Sequence, residues 1–84
     1  MHSHWNYRVI KTTYNINGDP QYTYAVHEVY YDENKFPDLW TKEPVAFSGD
    51  SVEDLNLFVE YLQKALKAPV LEVTGNRLVE VKKE

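Results

Sequence analysis

The sequence predicts an α+β domain: an antiparallel sheet with one amphipathic helix packed on one face, in the order β-β-β-α-β-β. Three observations carry that expectation. Two long N-terminal segments, WNYRVIKTTY and QYTYAVHEVYYD, alternate in character and are rich in β-branched and aromatic residues. One later stretch repeats apolar residues at steps of three and four. Two glycine-asparagine pairs, Asn17-Gly18 and Gly75-Asn76, stand where a tight hairpin needs positive φ angles.

The first strand is expected over Trp5–Tyr14 and the second over Gln21–Asp32. A loop of two or four residues between them leaves the side-chain parity unchanged. One face then holds Trp5, Tyr7, Val9 and Lys11 with Tyr22, Tyr24, Val26, Glu28 and Tyr30. The other holds Arg8, Ile10 and Thr12 with Thr23, Ala25, His27, Val29 and Tyr31. The first face is bulkier and is assigned to the core. The second keeps too many apolar residues for a sheet covered on one side only. Ile10, Ala25, His27, Val29 and Tyr31 are therefore the candidate interface residues for a partner.

Asp32–Pro37 reads as a polar turn, and Asp38–Phe47 as a third strand that Pro44 interrupts or confines to an edge. In the helix, Val52, Leu55, Val59, Leu62 and Leu66 form the apolar stripe, which Phe58 and Ala65 widen. Pro69 stops it. The remaining PVLEVTGNRLVEV contains two short strands around Gly75-Asn76.

Eighty-four residues make one domain, 1–84, with residues 1–4 expected as a loose terminus. The net charge of −4 disfavours binding to phosphate backbones, and only Lys82-Lys83 are adjacent among the nine basic residues. Nucleic acid is thus not an expected partner. With no cysteine, disulfides, thiolate chemistry and cysteine zinc sites are excluded. The start lacks a secretory pattern, and no apolar run approaches the roughly 18 residues of a membrane span. A cytoplasmic protein of bacterial style is expected, with no cofactor.

Several candidate chemistries compete with plain structure. Ser48-Gly49-Asp50-Ser51 could hold an anion at the helix start. Asp50, Glu53 and Asp54 already occupy that end with negative charge, so a cap with Ser51 at its N-cap and Asp54 as reciprocal partner is the expectation. His2 and His4 could share a metal, but no third ligand is identifiable. His27 and Glu28 are adjacent on a strand and point to opposite faces, so they form no dyad. No nucleophile elbow or serine triad pattern is present. The hairpin tyrosines could stack bases, yet only Arg8 and Lys11 accompany them. Packing and a protein-binding surface account for them better.

The run Gly49, Asp50, Ser51, Val52, Glu53, Asp54, Leu55, placed after three strands and opening an amphipathic helix, resembles the HicB-like antitoxin domain. The resemblance covers about residues 7 to 72. It implies a partial RNase H-like fold and a noncatalytic, protein-binding module that often dimerises. Three features depart from that pattern. Asn17-Gly18-Asp19-Pro20 replaces the family's Gly-Gly-Tyr turn, WTKEPVAFS replaces its Pro-Gly-Cys segment, and no DNA-binding segment follows.

The resulting expectation is a noncatalytic protein-interaction module, antitoxin-like, with a protein partner or a homodimer. The alternative is a small enzyme or ligand-binding protein with its site around His27, Arg8 and the tyrosine-rich hairpin.

Overall fold

A computed structural model describes residues 4–81. The elements are β1 (His4–Ile16), β2 (Asp19–Tyr31), β3 (Pro37–Trp40), α1 (Val52–Lys67), β4 (Leu71–Thr74) and β5 (Arg77–Glu80). They form one five-stranded sheet of order β3-β2-β1-β4-β5 with a single helix, the expected α+β arrangement in the expected sequence order. Neighbouring strands are antiparallel except β1 and β4, which run parallel. That exception has a simple cause. A parallel neighbour requires a crossover, and α1 supplies it between β3 and β4.

The β1–β2 hairpin is the backbone of the molecule. Asn17 (φ 52°) and Gly18 (φ 87°) form its two-residue turn, both left-handed as a type I′ turn demands. Pairing then runs without a break from Ile16 opposite Asp19 to His4 opposite Tyr31. This register places the two sets of side chains on opposite faces, as the alternation predicts.

The assignment of those faces needs a correction. Helix α1 does pack on the first face, where Tyr7 stacks on Phe58 with ring centroids 5.4 Å apart. Yet the side chains buried most completely, Ile10, Val29 and Leu71, all lie on the second face. They cluster there with Tyr31 and Leu78, and Trp40 packs against them. The cover comes from the chain itself. The outermost strands β3 and β5 come into contact, so the sheet coils around its second face. A register shift beside Tyr30 and Tyr31 sharpens the bend of β2. Under the helix, only Val9 and Ala65 are fully buried.

Helix α1 starts as expected. The Ser51 hydroxyl accepts from the Asp54 amide at 3.1 Å, and the Asp54 carboxylate accepts in turn from the amide of Asp50. The reciprocal partner is thus one residue earlier than in a standard capping box. Gly49 permits this close turn, because a Cβ there would sit 2.8 Å from the Cβ of Asp54. At the other end the Ala68 amide donates to the Ala65 and Lys64 carbonyls, and Pro69 follows.

Strand β3 is shorter than expected and ends at Trp40. The chain nevertheless stays along β2, since the amides of Thr41 and Val45 donate to the Glu28 and Val26 carbonyls at 3.1 and 2.9 Å. Pro44 lies between those two contacts, and β3 is an edge strand. The second hairpin turns at Gly75 (φ 63°) and Asn76. His4 already belongs to β1, with its ring 5.2 Å from Tyr31, so the loose terminus expected through residue 4 does not include it. His2 and the Lys82-Lys83 pair lie outside the described residues.

Candidate functional site

Four of the five residues expected to meet a partner are covered by the chain itself. Ile10, His27, Val29 and Tyr31 are buried within the chain, and Ala25 is half-buried. Sheet coiling turned the expected interface into the main core.

The polar members of this face form a network inside that core. Arg8 pairs with His27 across the hairpin, and both are buried. The Arg8 Nη1 donates to the Tyr31 hydroxyl at 3.0 Å, and Nη2 donates to the Pro69 carbonyl at 2.6 Å. The Tyr31 hydroxyl in turn donates to the Asn6 Oδ1 at 2.7 Å. His27 Nδ1 lies 2.9 Å from the Thr41 carbonyl. A carbonyl only accepts, so Nδ1 carries the hydrogen. His27 thereby ties the segment that follows β3 to β2.

Two clefts open on either side of Arg8 and Asn6. One, of about 580 Å³, is lined by Trp5, Asn6, Tyr7, Arg8, Tyr61, Lys64 and Ala68, between β1 and the last turns of α1. The other, of about 570 Å³, adds His4, Tyr31, Asp32, Glu33 and Lys35. Beside the first cleft, Tyr7 has its pKa raised, first by burial and then by the charge of Glu28 and the proximity of Tyr61. The Tyr30 hydroxyl donates to Glu28 at 2.8 Å, and this bond is the main reason its pKa is raised as well. Among the described residues, no three His, Asp or Glu side chains converge as a metal site would need.

The tyrosine-rich half of the hairpin contributes to neither cleft. From Thr12 to Tyr24 every residue is exposed, including Tyr14, Ile16, Tyr22 and Tyr24. Lys11 stretches over the Tyr22 ring with its Nζ 4.4 Å from the centroid. Strand β4 takes the edge of β1 only at Ile10 and Lys11, while β3 takes β2 from Val29 onward and the segment after it continues along β2 as far as Val26. Beyond those points two strands project alone. The radius of gyration is accordingly 14.0 Å, where a compact chain of this length would give about 12 Å.

A second apolar surface lies on α1. Leu55, Phe58, Leu62 and Ala65 are its least exposed positions, while Val52 and Leu66, each 70% exposed, and Val59 line its flank. Four of the seven predicted stripe positions are turned toward the sheet.

Sequence reasoning grouped Arg8, His27 and Tyr31 correctly but missed that the group is interior. It also missed the cleft. The available signal was an arginine within an apolar strand segment, Val9 and Ile10 following it directly. No helix of the described residues is long and apolar enough to cross a membrane. Comparison with protein-family models, with curated proteins and with solved structures finds no match to this chain.

Proposed function

We propose that this chain is a noncatalytic, cytoplasmic protein-interaction module that presents the projecting hairpin arm to a protein partner, most simply a second copy of itself. One observation carries the reading: Tyr14, Ile16, Tyr22 and Tyr24 are each about half exposed on a two-stranded arm with open edges. Two strands alone gain little from their own contacts. An open apolar strand edge is also a template for pairing with another chain. Tyrosine suits such a surface, since it brings large area and a polar tip. The unused flank of α1 adds further apolar area. A HicB-like antitoxin is one kind of protein that fits this description, with neutralisation of a partner as its activity.

Light scattering on the purified chain across a concentration series tests the reading. A molar mass rising toward twice the chain mass by high micromolar concentration is expected. A strict monomer throughout, with a Tyr24→Glu variant indistinguishable from it, removes self-association from the account.

A further inference from the structure

Arg8 is 8% exposed, and among the described residues its guanidinium donates to neutral groups, the Tyr31 hydroxyl and the Pro69 carbonyl. These use two of its five N–H donors. Its Nε is buried without a hydrogen-bond partner. No carboxylate of a described residue accepts a hydrogen bond from it. Buried charge without a counter-charge is costly, and a bound anion would relieve that cost.

The two clefts beside Arg8 differ in what they would accept. The one lined by Asp32 and Glu33 already carries negative charge. The one between β1 and α1 has no acidic lining residue, and adds the cation of Lys64 and the amide of Asn6. Its walls are aromatic: Trp5 and Tyr7 meet edge to face at 5.3 Å, and Tyr61 stands 6.0 Å from Tyr7. Arg8 and Lys64 line it against these flat surfaces, with the Glu28 carboxylate opposite Tyr7 on the neighbouring strand. The C-terminal end of α1 also borders the cleft through Lys64 and Ala68. Its partial negative charge opposes any anion, and opposes a doubly charged phosphate more than a carboxylate.

We propose that the cleft between β1 and the last turns of α1 binds a carboxylate carried on an aromatic or apolar body, with Arg8 and Lys64 as its anchors. The carboxylate takes the unused guanidinium donors and the body lies between Trp5, Tyr7 and Tyr61. Either a free aromatic acid or the C-terminal residue of a peptide has this chemistry. The site lies at the base of β1, outside the arm of Thr12 to Tyr24, and does not depend on self-association.

The test is an amide and indole NMR titration of the full chain with N-acetylphenylalanine, its carboxamide, and a tripeptide acid ending in phenylalanine. Saturable shifts are expected at the Trp5 indole, Tyr7 and Ala68, with the carboxamide about tenfold weaker, as loss of a charge-assisted contact implies. Lys64→Gln, on an exposed helix position, should weaken the acid several-fold without changing the thermal melt. Arg8→Gln should weaken it about tenfold where it folds. A tripeptide much tighter than the single residue identifies a chain terminus as the ligand, and equal affinities identify a free acid. Equal binding of acid and carboxamide, shifts centred elsewhere, or Lys64→Gln binding like the parent would each overturn the proposal.

Discussion

The two halves of the β1–β2 hairpin share one pairing register and the same alternation, yet they have opposite fates. At the base, Arg8, Val9 and Ile10 are buried and pair with buried His27 and with half-buried Val26 and Ala25. Toward the tip, Tyr14 and Ile16 pair with Gln21 and Asp19 in full solvent. Local sequence builds both ladders equally well. What differs is supply from elsewhere in the chain: β3, β4, β5 and α1 all gather at the base. Burial in this fold is therefore a long-range property laid over a local one, and the tip is left exposed.

The largest expected contrast comes from truncating one isoleucine at each end. Ile10→Ala should destabilise the chain by about 2–5 kcal/mol, because it opens a cavity among Val29, Leu71 and Leu78. Ile16→Ala should change stability by no more than about 0.5 kcal/mol in dilute protein. Urea unfolding of both variants measures the difference. Similar losses would show that the tip has a core of its own.

A smaller effect separates the polar network of the base from simple packing. Tyr31→Phe keeps the ring but removes the hydroxyl that links Arg8 to Asn6. About 1–3 kcal/mol should be lost, since two buried groups are left short of a partner. Ser51→Ala should cost about 1 kcal/mol by removing the cap that starts α1 over the base. A thermal melt with unchanged midpoint for either variant would contradict the corresponding contact.

The smallest effect is a dependence on alkaline pH. Tyr7 has a folded-state pKa above its ordinary value of 10.0, so the folded chain holds that proton more tightly than the unfolded one. Its contribution is fully present below about pH 10 and is lost as pH rises through the raised value. Urea midpoints between pH 8 and 11.5 should fall at the upper end, and Tyr7→Phe should flatten that fall. A Tyr7→Phe profile equal to the parent's would assign the fall to other groups.

Much of the local structure was legible in the residues. The Asn17-Gly18 turn, the parity of the hairpin faces, the Ser51 cap and the stop at Pro69 all follow from short-range chemistry. The choice of core face did not, because Ile10 and Val29 on one side compete with Tyr7 and Val9 on the other. Contact between β3 and β5 decided it, and no short stretch of sequence encodes that contact. The cleft was hidden for a related reason: Arg8 and Lys64 meet only once α1 has docked on β1.

The central claim is that the base of the hairpin holds the fold and the tip serves a partner. Amide hydrogen exchange at two protein concentrations tests it most directly. At low micromolar concentration, amides around Arg8–Ile10 and His27–Val29 should be protected and those of Thr12–Tyr24 should exchange freely. At high micromolar concentration the base should be unchanged while protection extends into the tip. Tip amides that are as protected as the base at both concentrations, or open at both, would contradict the claim.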